Sequence, residues 1–148
     1  MNFMDIAIEE AKIALQSGEV PVGAIIIDDS GEIISRAHNL TNSSYDPTGH
    51  AEIIAIRFAA MKLSNNILSN CDMYVTLEPC IMCAAAISNA RIRRLYFGAQ
   101  DTKNGSVESH FNYYNSPLCV HKPEIYGGIS ERETKEIIST FFNNKRNR

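Results

Sequence analysis

Apolar residues recur at helical spacing from the start of the chain. Ala7, Ala11, Ala14 and Leu15, with Ile8 alongside, form one amphipathic stripe and predict a first helix that Gly18 stops. The period then changes. Val22 to Ile27 is a short apolar run, Asp28-Asp29-Ser30-Gly31 is a turn cluster and Glu32 to Ala37 resumes extended, which reads as a hairpin. Asn39 to Gly49 is polar and rich in Asn, Ser and Thr, so a loop is expected. From His50 to Met61 good helix formers carry a broad apolar face. Met73 to Leu77 predicts a strand, Cys80 to Asn89 a helix and Arg94 to Phe97 a further strand. Ala99 to Leu118 is mostly loop, and Pro123 to Tyr126 predicts a last strand. Ser130-Glu131-Arg132-Glu133 matches a capping box before a final helix that runs to about Phe142. Alternating strands and helices predict an α/β class, a mixed sheet with helices on both faces. No repeat, low-complexity tract or linker interrupts the pattern, so residues 1–148 are expected to form a single domain.

Composition narrows the class. A chain of 148 residues can bury a full hydrophobic core. Its 45% apolar and 21% charged content excludes a disordered, collagenous or coiled-coil protein. No apolar run approaches the roughly 20 residues needed to cross a bilayer, so no membrane partner is expected. Met1 to Leu15 carries Asp5, Glu9 and Glu10, unlike a secretory signal, and a cytoplasmic location is expected. In that reducing compartment the 4 cysteines serve metal or redox chemistry more often than disulfides. A net charge of −3 gives no global sign of nucleic-acid binding. Charge is uneven, however: Arg91, Arg93 and Arg94 cluster, and the chain ends Lys145-Arg146-Asn147-Arg148. A local basic patch attracts phosphate without a basic pI.

Two short segments carry the chemistry: His50-Ala51-Glu52 and Pro79-Cys80-Ile81-Met82-Cys83. Cysteines three apart lie on one helix face and can grip one ion. At a helix start the free amides and the macrodipole favour their thiolates. With His50 they make three ligands, which leaves Zn²⁺ one open tetrahedral position, the mark of a catalytic rather than a structural site. Glu52 is the candidate acid/base. Residues two apart on an ideal helix point about 200° away from each other, so His50 and Glu52 converge only if the helix begins at or near His50. Asp46-Pro47-Thr48-Gly49 supplies a start signal there. A carboxylate beside the metal but not on it can take a proton from water, deliver it to a ring nitrogen and help an amine leave. Cys-x-x-Cys alone serves structural zinc and redox thiols equally well. A structural site would need a fourth ligand from Cys71, Cys119, His38, His110 or His121, each of which reads as a core or surface residue. A redox pair would leave His50 and Glu52 unexplained. His-x-Glu followed by Pro-Cys-x-x-Cys is a known signature of zinc nucleobase deaminases.

With these motifs in place the sequence resembles the cytidine/deoxycytidylate deaminase superfamily, and within it the bacterial tRNA-specific adenosine deaminases. The resemblance runs along nearly the whole chain. It includes Glu19-Val20-Pro21-Val22-Gly23-Ala24, Asn39, Asp46-Pro47-Thr48, and Tyr74-Val75-Thr76-Leu77-Glu78-Pro79-Cys80. It continues through Phe97-Gly98-Ala99 with Asp101 and Lys103, Gly127-Gly128-Ile129 and Phe141-Phe142. It implies a three-layer α/β/α fold around a five-stranded mixed sheet, a homodimer, a Zn²⁺ cofactor and conversion of adenosine to inosine at the wobble position of a tRNA anticodon. Carried over, His50, Cys80 and Cys83 are metal ligands and Glu52 is catalytic. Asn39 hydrogen-bonds the flipped base, since its amide offers a donor and an acceptor. Asp101 meets a neighbouring ribose hydroxyl, and Phe142 with the basic tail meets the tRNA anticodon loop. Each of these three also has a plainer reading: a loop-capping Asn, a turn Asp and the last apolar residue of a packed helix. Val20 and Pro21 either shape the pocket rim or pack at a strand entry. Gly49, Gln100 and a short tail depart from the pattern of this branch. Two other functions stay open on the motifs: a deaminase of a free nucleobase or nucleotide, and a non-enzymatic zinc-stabilised RNA-binding module.

Overall fold

The computed structural model describes residues 2–146. Its elements follow the chain as α1 (Phe3–Gln16), β1 (Gly23–Ile27), β2 (Ile33–His38), α2 (Ala51–Leu63), β3 (Asp72–Leu77), α3 (Ile81–Ala90), β4 (Arg94–Ala99), a 3₁₀ turn at Tyr113–Asn115, β5 (Glu124–Tyr126) and α4 (Glu131–Arg146). The strands form one sheet in the order β2-β1-β3-β4-β5. β1 pairs antiparallel with β2 and β3, whereas β3, β4 and β5 run parallel. The mixed sheet expected from the alternation of elements is therefore present.

The side-chain period of two along each strand decides which layer a residue joins. Ala24, Ile26, Met73 and Val75 face one way and bury with Ala51, Ile54, Ala55 and Ala59 of α2 and Ala84, Ile87 and Ala90 of α3. Ile25 and Ile27 face the other way, toward Met4, Ala7 and Ile8 of α1, with Tyr74 and Ile137 of α4 packed alongside. Small residues on α2 and α3 let both helices lie close on the sheet. Each fully buried Ile, Leu, Met or Phe contributes about 1.5–3 kcal/mol through burial. On the α1/α4 face, Tyr74, Tyr96 and Tyr126 stack across β3, β4 and β5, with centroids 4.2 and 5.0 Å apart. α4 presses onto β4 at Gly98, where a Cβ would overlap the Thr134 side chain and the Thr76 carbonyl.

Several local expectations change. No capping box forms at Ser130: its φ of +53° is outside the extended conformation of a capping residue. Its carbonyl accepts the Thr134 amide instead. The chain has its capping box at α1, where the Asn2 side chain accepts from the Asp5 amide at 3.0 Å and the Asp5 carboxylate accepts from the Asn2 amide at 3.1 Å. α4 continues past Phe142 to Arg146, and β4 extends to Ala99. The arginine cluster is not a free phosphate patch. Arg93 makes a two-point pair with the buried Asp72, Arg94 pairs with Glu124 at 2.9 Å, and Arg91 donates to the Val120 carbonyl. Asn147 and Arg148 of the basic tail lie outside the described residues.

Candidate active site

Two helix starts build the site. α2 begins at Ala51, so His50 is its N-cap, held extended at φ −72° and ψ 149°. α3 begins at Ile81, so Cys80 is its N-cap, again extended at φ −73° and ψ 176°. The backbone carbonyls of both residues enter their helices, accepting from Ile54 and Ala84, while their side chains are free to point elsewhere. His50 Nδ1 stands 3.6 Å from Cys80 Sγ and 3.5 Å from Cys83 Sγ. The three donor atoms all lie within 4.8 Å of one another, a spacing that can hold one ion. One imidazole and two thiolates in this arrangement suit zinc at bond lengths of about 2.0–2.3 Å. Among the described residues no fourth His, Cys, Asp or Glu joins the group. Cys71 is buried in the core and Cys119 packs against it. His38 pairs with Glu10 at 2.9 Å, His121 meets the Ile92 carbonyl, and the His110 amide donates to the Gly105 carbonyl.

Glu52 follows on the first turn of α2 and is 4% exposed. It stands outside the three-donor group but close enough to the thiols to be felt by them. Burial pushes its carboxyl up to about 7, and the Cys80 charge adds to this. In the metal-free chain the Cys80 thiol is pushed down to about 4, chiefly by its hydrogen bond with Cys83. The Cys83 thiol is driven up by the same contact and by burial.

Asn39 is 7% exposed, and its Oδ1 accepts from the Ala51 amide at 2.9 Å. It thereby caps α2 at its first residue and fixes the approach of His50. Asp101 closes a turn, accepting from the Lys103 and Asn104 amides at 3.1 Å each. Phe142 is 47% exposed, while its neighbour Phe141 is the buried member of the pair. The plain reading of Phe142 as a packed helix residue thus belongs to Phe141. Two further carboxylates, Glu19 and Glu78, are buried as well, and the sequence reading assigned neither a role of its own, because a lone Glu beside a Gly or a Pro carries no local signal of burial.

Residues 1–99 match the family model for the cytidine and deoxycytidylate deaminase zinc-binding region. A protein of Agrobacterium fabrum named tRNA-specific adenosine deaminase is 50% identical over 98% of this chain and 95% of its own length. This chain belongs to the tRNA-specific adenosine deaminases of that family. A protein of Aquifex aeolicus with the same name is 47% identical, again over 98% of this chain and 95% of its own. A structure solved in a study of A-to-I editing by tRNA:A34 deaminases superposes with a TM-score of 0.89 at 51% identity, covering 91% of this chain and 97% of the other. The five-stranded sheet between helices is the fold of these deaminases. As a family member the chain is a zinc-dependent hydrolase, and Zn²⁺ is its cofactor.

Proposed function

We propose that this chain hydrolyses adenosine to inosine at the wobble position of a tRNA anticodon, releasing ammonia. The observation that carries this reading is a single unligated carboxylate, Glu52, set beside a His/Cys/Cys donor group. Relatives of nearly the same length that bear the tRNA-specific name support it.

His50, Cys80 and Cys83 would hold zinc, which supplies a Lewis acid that activates water toward C6 of the purine. Glu52 takes the proton from that water, delivers it to N1 of the ring and then assists the amine as it departs. Burial at 4% exposure shields this exchange from bulk water. The Oδ1 of Asn39 is committed to the Ala51 amide, so its amide nitrogen remains to donate to an acceptor on the base edge. Asp101 accepts from the hydroxyl of an adjoining ribose, and Phe142 with the basic tail meets the anticodon loop. A loop base is already partly unstacked, which lowers the cost of extracting it to a few kcal/mol.

Residues 1–148 act as one catalytic domain, working in the cytoplasm where tRNA is found. Phe58 and Met61, one helical turn apart on α2, with Ile81 on α3, leave large apolar surface in water at 52%, 76% and 56% exposure. Those outer faces support a homodimer. No helix among the described residues is long and apolar enough to cross a membrane.

The test offers the zinc-loaded protein an anticodon stem-loop with adenosine at the wobble position and, separately, free guanine, cytosine and adenine. Inosine in the stem-loop with the free bases intact is the expected result. Turnover of a free base with the RNA untouched would place the chain among free-base deaminases.

A further inference from the structure

Two buried carboxylates have no part in the chemistry above. Glu19 is 1% and Glu78 2% exposed. Among the described residues neither has a Lys, Arg or His ion-pair partner. Such a group is costly to bury unless its lone pairs are filled. In each case they are filled by one loop. Glu19 accepts from Thr41 Oγ1 at 3.3 Å, the Asn42 amide at 3.1 Å, and the Ser43 amide and hydroxyl at 2.7 and 2.8 Å. Glu78 accepts from the amides of Asp101, Val107, Glu108 and Ser109 at 3.1, 3.2, 2.8 and 2.9 Å, and from the Ser109 hydroxyl. Burial alone would raise the Glu19 carboxyl, but its hydrogen bonds outweigh this and hold it below the ordinary range. Every contact to Glu78 is an N–H or O–H donor aimed at a carboxylate oxygen, so both residues act as acceptors.

Both loops border the active site. The first runs from Asn39 to His50, and the Leu40 amide donates to the Gly49 carbonyl at its base. The second leaves β4 and returns over α3, where the Ser106 amide donates to the Pro79 carbonyl at 2.8 Å, one residue before Cys80. Gly105 lets this loop close, because a Cβ there would overlap both the Asp101 carbonyl and the Glu78 carboxylate. The loops also present contrasting chemistry outward. The first carries Tyr45, 94% exposed and held in the left-handed region at φ +49°. The second carries Asp101. An aromatic ring presented to water by an anchored loop suits base stacking, and a carboxylate suits a ribose hydroxyl.

We propose that Glu19 and Glu78 are positioning residues that hold these loops as two jaws, Glu19 setting Tyr45 to stack on a nucleotide beside the reacting adenosine and Glu78 fixing the loop whose Asp101 was assigned above to a ribose. The proposal rests on the tRNA reading given above. Pre-anchored loops remove ordering cost that a flexible RNA would otherwise add to its own.

The experiment measures kcat/KM on the anticodon stem-loop and zinc content for the full-length protein and for Glu78→Gln, Asp101→Ala and their double variant. A parallel set comprises Glu19→Gln, Tyr45→Ala, their double variant and Tyr45→Trp. Each glutamine variant is expected to lose about 10- to 100-fold, the scale of a loop displaced by an ångström, while keeping its zinc. The loss should nearly vanish in the background lacking the residue each loop presents, because coupled residues are not additive. Tyr45→Trp should retain activity. Gly105→Ala, which leaves the carboxylate in place, should reproduce the Glu78→Gln loss even where that variant folds poorly. Unchanged kcat/KM, or losses that multiply in the double variants, would overturn the positioning role. A wild-type protein that leaves the stem-loop unedited sinks the tRNA reading instead. Hydrogen exchange then reads the anchor alone: lost protection of the 107–109 amides in Glu78→Gln supports it, and retained protection overturns it.

Discussion

His50 Nδ1 lies 3.6 Å from Cys80 Sγ because each residue is the N-cap of a different helix, and the two helix starts face one another. An N-cap is extended, so its side chain is not bound to the helix face and can aim along the axis. The zinc content follows from this relationship. Wild-type protein should carry one zinc per chain by elemental analysis, and His50→Ala, Cys80→Ser or Cys83→Ser should each weaken it by more than about 100-fold, beyond the usual cost of losing an outer-sphere partner. Full zinc in any of these variants would point to other ligands.

Glu52→Gln should keep the metal and lose activity. A general acid/base contributes about 10²–10⁴-fold, so kcat should fall within or beyond that range while zinc stays at one per chain. Single-turnover rates on the stem-loop check this, and a loss below tenfold would assign the proton to another group.

The same substitution should stabilise the metal-free protein at alkaline pH. Glu52 has its folded pKa raised from 4.5 to about 7 by burial, so its neutral form is favoured on folding. Its contribution is fully present below about pH 4.5 and is lost as pH rises through 7. At pH 8 the ionised carboxylate therefore costs roughly 3 kcal/mol that a glutamine does not. Urea unfolding of both metal-free proteins at pH 8 and pH 5 measures it. Glu52→Gln should be the more stable at pH 8, and the gap should narrow at pH 5.

Much of this was legible in the sequence, because the strong signals are local. Apolar runs, helical spacing and turn signals located the strands and the first three helices to within a few residues, whereas the final helix was expected from a capping box that does not form and runs on past Phe142 to Arg146. His-x-Glu and Pro-Cys-x-x-Cys require helix starts at fixed positions, and α2 and α3 begin one residue later than His50 and Cys80. What the sequence pattern could not convey is long-range pairing. Arg93 and Arg94 read as a basic patch because Asp72 and Glu124 are 21 and 30 residues away, and only the sheet brings them together. Ser130 fits a capping box by residue type, but the Gly127-Gly128 turn delivers it in the left-handed region. The role of Phe142 was ambiguous because adjacent phenylalanines on a helix point about 100° apart, and only packing decides that Phe141 is the buried one.

Arg93→Ala should destabilise the fold without touching the site. It removes the two-point partner of Asp72, which is 4% exposed, and leaves only Arg94 nearby at 4.0 Å. A loss of roughly 1–3 kcal/mol is expected from the unpaired buried carboxylate, with kcat unchanged per folded molecule. Chemical unfolding reads the stability. Equal stability would show that Arg94 takes over the pair.

The central claim is tested most directly in the RNA itself. The chain, and separately its Glu52→Ala variant, is expressed in cells whose own wobble adenosine editing has been switched off, and the tRNA pool is sequenced for inosine, which reads as guanosine. Inosine confined to the first anticodon position with the wild-type chain, and absent with the variant, is the predicted result. An unedited anticodon under the wild-type chain, or editing that survives loss of Glu52, would contradict it.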